Sequence, residues 1–157
     1  MDGNIGNGDN AAYSFSLAVD PATCATSQQK KVCFSQGRIF TNPRVARTKR
    51  AVALLGRAHR AAVRAVVSDG DPIRLEVTFR YAYPKGTAKR RQVPDAPKAN
   101  GADCDNLVKA VNDALSYDKG KGADLWADDR AISTLVVRKR YAVGSPPRID
   151  FRISKDA

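Results

Sequence analysis

Apolar and polar positions change period several times along this chain, and each change marks an element. In residues 13–19 Tyr13, Phe15 and Leu17 stand two apart, the spacing of a strand with one buried face. A polar loop, residues 20–30, leads to a second extended piece at 31–40. Thr41-Asn42-Pro43 then reads as a helix start, a capping side chain with proline at the first helical position. From there the period is helical: Val45, Val52, Leu55, Val63, Val66 and Val67 share one face at about 100° per residue. The helix is predicted to reach about Val67 and to stop at Ser68-Asp69-Gly70-Asp71-Pro72. His59, the only histidine, falls on the apolar side and reads as a packed or boundary residue, neither ligand nor base.

Strict alternation returns at residues 73–83, where Ile73, Leu75, Val77, Phe79 and Tyr81 interleave with Arg74, Glu76, Thr78 and Arg80. A long loop, 84–102, ends at a second helix. There Leu107, Val108, Val111, Ala114 and Leu115 fill one arc, and Asp105, Asn106, Lys109, Asn112 and Asp113 fill the opposite one. Asp105 is the predicted N-cap. Residues 131–141 and 147–154 read as two closing strands. Residues 1–12 are rich in Gly, Asn and Asp and are expected to be disordered, leaving one domain over 13–157. Strands and helices mix without regular βαβ alternation, which predicts an α+β fold: a small mixed β-sheet packed by two main helices.

Charge changes this picture. Lys and Arg total 27 against 16 acids, a formal net charge of +11, with a sequence pI near 9.9. Such a surface attracts polyanions, of which nucleic acid is the commonest in a cell. No apolar run approaches the ~18 residues of a membrane span, and no basic amphipathic segment with exposed Trp or Phe points to a lipid surface. Cys24, Cys33 and Cys104 have no CxxC spacing and nothing reads as a signal peptide, so reduced thiols in a cytoplasmic protein are expected. Two basic sets are candidates for phosphate contact: Arg57, Arg60 and Arg64 on the long helix, and Lys85, Lys89, Arg90, Arg91 and Lys98 in the long loop. For a single helix such a stripe is more commonly a solvated face.

Against that charge, the acids gather. Asp103 and Asp105 flank the second helix start, Asp113 lies two turns on, and Asp128 and Asp129 follow Trp126 at a strand entrance. Alone, the first set fits a capped surface helix with an Asp105–Lys109 pair worth a few tenths of a kcal/mol. The adjacent carboxylates 128 and 129 favour a cation, because their repulsion is relieved where one neutralises it. Oxygen-only ligands suit Mg²⁺, with Mn²⁺ as substitute. Leu107 and Val108 stand where an EF-hand needs an acid and a glycine, and one distant histidine with scattered cysteines disfavours zinc. No small-molecule cofactor is expected.

The run Asp103-Cys104-Asp105-Asn106-Leu107-Val108-Lys109, then Asp113-Ala114-Leu115, then Trp126-Ala127-Asp128-Asp129 with Ile132, resembles RusA-type Holliday junction resolvases. The resemblance covers roughly residues 13–154. Residues 38–44 resemble the family's entry to its first long helix, and the interval 116–125 is longer than the family pattern. The resemblance implies a dimeric, Mg²⁺-dependent endonuclease that cuts four-way DNA junctions symmetrically. By position it implies that Asp103, Asp105 and Asp129 bind metal with Asp128 beside them, that Lys109 is the catalytic lysine, and that Asp113 is structural. Two rivals remain: a metal nuclease acting on flaps or other branched DNA, and a non-catalytic DNA-binding module.

Overall fold

A computed structural model describes residues 4–5, 11–24, 30–33, 38–41 and 43–156, with side chains for 11–24 and 43–156. The strands are β1 (Asn4–Ile5), β2 (Ala12–Leu17), β3 (Lys30–Cys33), β4 (Arg38–Thr41), β5 (Ile73–Tyr81), β6 (Ile132–Tyr141) and β7 (Arg148–Lys155). The helices are α1 (Pro43–Gly56), α2 (Arg60–Val66) and α3 (Cys104–Leu115). One sheet runs in the order β1-β2-β7-β5-β6, and among the described residues β3 and β4 form a separate two-stranded sheet. β5 and β6 are parallel neighbours, and the other pairs are antiparallel. This is the expected α+β arrangement of a mixed sheet with two main helical segments.

Period two decides which sheet face is covered. Tyr13, Phe15 and Leu17 of β2, alternate residues of β5 from Ile73 to Tyr81, and Ile149, Phe151 and Ile153 of β7 are all buried beneath the helices. Phe15 stacks between Phe151, centroids 4.8 Å apart, and His59 at 4.3 Å. Tyr13 and His59 share a 2.9 Å hydrogen bond between the phenol and Nδ1, so the histidine is the boundary residue its position predicts. The opposite face is polar and cross-braced. Arg80 and Arg148 both bond Asp150, Ser16 donates to it at 2.7 Å, and Arg138 reaches Glu76 at 2.9 Å. Burial pushes the Asp150 carboxyl up, but these three donors outweigh it and hold the group below its ordinary value.

Several boundaries differ from expectation for physical reasons. The long helix is not continuous to Val67: α1 ends at Gly56 and a 3₁₀ turn, Arg57–His59, precedes α2. A Cβ on Gly56 would lie 2.6 Å from Leu115 Cδ2 and 3.1 Å from the Ala123 methyl, so α1 meets α3 where only glycine fits. Leu55 stands outside the core at 38% exposure, while Thr48, Ala53 and Gly56 belong to it. α3 starts two residues earlier than predicted: Asp103 is the N-cap, in extended backbone without a side-chain cap bond, and Asp105 sits in the first turn. Both positions place a carboxylate at the positive end of the helix dipole, so the sequence does not distinguish them. Asn112, assigned to the polar arc, is buried. Residues 1–3 and 6–10 of the expected disordered segment, and 34–37 of the second extended piece, lie outside the described residues; Asn4 and Ile5 pair with Ser14 and Tyr13.

Candidate nuclease centre

The loop before α3 is built rather than free. The Tyr141 N–H donates to the Ala96 carbonyl at 3.0 Å, and the Lys98 N–H donates to the Lys139 carbonyl at 3.1 Å. An antiparallel bridge between Pro97 and Arg140 lies between them, so this part of the loop covers one end of the edge strand β6. Lys98 lays its ammonium over the rings of Tyr81 and Tyr141, 5.1 and 5.6 Å from their centroids, and also bonds Asn100. Lys139 then donates to the carbonyls of Ala102, at 3.0 Å, and Asn100, at 3.4 Å. Gly101 turns the chain with φ +92°, a conformation that favours glycine. The outcome is a fixed α3 N-terminus presenting exposed Asp103, Asp105 and, one turn on, Lys109. Lys109 makes no ion pair with the described residues.

The second acidic set is a tight turn. Asp128 caps the 3₁₀ segment Asp129–Ala131, accepting from the Arg130 N–H at 2.9 Å and from its guanidinium at 2.7 and 3.0 Å. Those donors hold the Asp128 carboxyl far below its ordinary value. Asp129 moves the other way. A hydrogen bond to Asp128, partial burial, and repulsion from Asp128 and Asp113 all raise its pKa. Lys49 reaches Asp113 at 2.6 Å from the neighbouring helix. Lys49, Asp113, Tyr117, Asp118, Asp128 and Asp129 together line a shallow cleft of about 360 Å³.

The predicted site residues therefore fall into two groups. Asp128 and Asp129 share the cleft with Asp113 and Asp118, whereas Asp103, Asp105 and Lys109 stand on the exposed first turns of α3 and do not line it. Among the described residues, no three carboxylates, thiols or imidazoles converge closely enough to hold a metal ion by themselves. Sequence reasoning did not anticipate the pairings of Lys49, which it placed on the basic face of the long helix, or of Arg130 and Lys139, because they depend on long-range packing or on turn geometry. Tyr117, in the 116–125 segment, was also missed. A larger cleft, about 830 Å³, lies elsewhere, where Leu54, Leu55 and His59 face β2 and β7.

The two basic sets also behave differently. Arg57 donates to the carbonyls of Gly120 (3.0 Å), Lys121 and Gly122 (3.4 Å each), Arg60 and Arg64 both pair with Asp124, and Arg64 also pairs with Asp69. Their guanidiniums hold the 116–125 segment as well as facing solvent. Lys85, Lys89, Arg90 and Arg91 are exposed and make no ion pair with the described residues.

The described residues thus form an α+β domain whose mixed sheet carries a helix opening on two exposed acids, a carboxylate pair in a capped turn, and a loop with the exposed cations Lys85, Lys89, Arg90 and Arg91. The family model described as endodeoxyribonuclease RusA matches residues 21–154, most of the chain. The chain belongs to that family, and is thereby an endodeoxyribonuclease, a hydrolase of the junction-resolving type that acts on branched DNA. No curated protein matched the sequence. No helix among the described residues is long and apolar enough to cross a membrane.

Proposed function

We propose that the protein is a homodimeric, Mg²⁺-dependent endonuclease that resolves four-way DNA junctions by paired phosphodiester hydrolysis. The observation that carries the reading is the family match over residues 21–154, inside which both acidic motifs stand in order. Asp103, Asp105 and Asp129 are the proposed metal residues, with Asp128 adjoining. The donor set fits the ion: all are carboxylate oxygens open to water, and Mg²⁺ keeps several waters and takes further ligands from substrate phosphate rather than needing a closed protein cage. When bound, Mg²⁺, or Mn²⁺ in its place, supplies a water of lowered pKa and positive charge for the phosphate oxygens.

The chain's own residues do the rest. Lys109, exposed and unpaired one turn from Asp105, stabilises charge developing on the phosphate or the leaving oxygen. Lys85, Lys89, Arg90 and Arg91 grip the DNA arms through phosphate contacts that carry no sequence information. Arg57, Arg60, Arg64 and Lys98 make a smaller contribution, because the tethers described above already engage them. Leu54, 64% exposed, offers apolar surface for a second copy.

One assay tests the reading. Synthetic four-way junctions, duplex, flap and fork are incubated with Mg²⁺ and the cuts are mapped. Symmetric paired cuts near the branch of the junction are expected. Cutting confined to flaps or forks supports the other branched-DNA nuclease instead, and binding without cleavage of any DNA supports a non-catalytic module.

A further inference from the structure

Residues 116–125 form a rigid bracket between α3 and the acidic turn. Ala123 and Leu125 are buried, and their N–H groups donate to the Ala114 and Leu115 carbonyls, each at 2.8 Å. The Tyr117 N–H donates to the Trp126 carbonyl at 3.0 Å. Arg57 holds three successive carbonyls, Arg60 and Arg64 clamp Asp124, and a Cβ on Gly122 would collide with the Ser116 carbonyl. On this fixed frame one large apolar side chain faces solvent: Tyr117, 57% exposed. It lines the acidic cleft with Asp113, Asp128 and Asp129 on one side and a second cleft with Arg60, Arg64 and Asp124 on the other. Neither its ring nor its hydroxyl bonds to another described residue.

We propose that Tyr117 is a specificity residue that stacks on a nucleobase left unpaired at the branch point, beside the acids that address the scissile phosphate. The inference rests on the branched-DNA reading above. A single exposed aromatic is ordinary on a protein surface. This one differs in being carried by a backbone immobilised at both ends, so little freedom is lost when a base docks. On its acidic side Asp113, Asp118, Asp128 and Asp129 repel phosphate until a cation intervenes, so charge alone holds DNA poorly there. A ring face supplies a contact independent of charge and tolerant of base identity. A base stacked inside continuous duplex exposes no free face, whereas a splayed base at a branch does, so the contact discriminates structure rather than sequence.

The test uses the full-length protein and four-way junctions carrying 5-iodouracil at positions around the branch. Irradiation of the wild-type complex should crosslink a peptide containing Tyr117. Tyr117→Ser should lower the single-turnover rate and affinity on the junction by roughly tenfold, with duplex affinity and melting temperature unchanged, and Tyr117→Phe should recover most of the loss. Crosslinks at other aromatics only, or a Tyr117→Ser rate within twofold of wild type on a junction that the wild type cuts, overturn the stacking role alone. If wild-type protein neither binds nor cuts branched DNA, the functional reading fails first and this inference with it.

Discussion

Asp129 stands among three other carboxylates, and its raised pKa is the local sign of crowded negative charge. Asp103 and Asp105 are exposed and carry no part of the core, so replacing either with asparagine should leave the fold intact. If they hold the metal, Asp103→Asn or Asp105→Asn should reduce cleavage a hundredfold or more, on the order of losing one electrostatic stabiliser, with junction binding retained. Single-turnover assays beside mobility shifts check this. Lys109→Ala should likewise slow the chemical step without a matching loss of affinity, since a transition-state contact lowers turnover while a ground-state contact weakens binding.

His59 gives a residue-scale prediction of another kind. Burial lowers its pKa below the ordinary 6.5, so the unfolded chain binds its proton more readily than the folded one. The stabilising contribution is therefore complete above about pH 6.5 and is lost as pH falls through that value toward the folded pKa. Denaturant melts at pH 7.5 and 5.5 should show this decline, and His59→Phe, which keeps an aromatic against Phe15, should flatten it. An unchanged decline in the variant would assign the effect to other groups.

At the scale of elements, strands were the most legible part of the sequence. β5 and β2 bury one face and pair on both edges, so their alternation survives intact from sequence to structure. The long helix was legible as a helix, and Val45, Val52, Val63, Val66 and Val67 of its predicted face are buried, but its interruption was not, because a single 100° period assumes no break and Gly56 is followed by a 3₁₀ turn. The acids were visible as acids. Their neighbours were not: Lys49 meets Asp113 only because α1 crosses α3, and Arg57 meets residues 120–122 only because the bracket folds back beside it. No local spacing encodes such pairs. The bracket yields a stability prediction: Gly122→Ala forces the chain away from the Ser116 carbonyl and should cost about 1–3 kcal/mol, the usual range for overpacking, by denaturant titration. A variant as stable as wild type would mean that the bracket is looser than its hydrogen bonds indicate.

At the scale of the whole molecule, a net charge of +11 sets how DNA is met. Because Lys85, Lys89, Arg90 and Arg91 make no ion pair among the described residues, removing any one should weaken binding to all DNA forms alike and shrink the salt-dependence slope by roughly one. A resolvase reading also requires two centres. A four-way junction has approximate two-fold symmetry, and a chain with a single pair of acidic motifs must act as a C₂ pair to cut opposing strands together. Sedimentation at micromolar concentration should give about twice 17.0 kDa. A species that stays monomeric both free and on the junction would remove paired cutting and leave a nicking enzyme.

The parallel pairing of β5 with β6 has a consequence for how this protein can vary. Those strands neighbour each other in the sheet, yet residues 82–131 separate them along the chain, and every candidate metal-binding and catalytic side chain lies in that one excursion. The excursion leaves the sheet and returns to the adjacent position whatever its length, and closing a longer loop costs only slowly more entropy. Its segments can therefore lengthen without altering any strand's partner. The sheet is a constant mount and the excursion an exchangeable tool head, so substrate preference in this architecture can drift by insertion while the hydrophobic framework is left untouched.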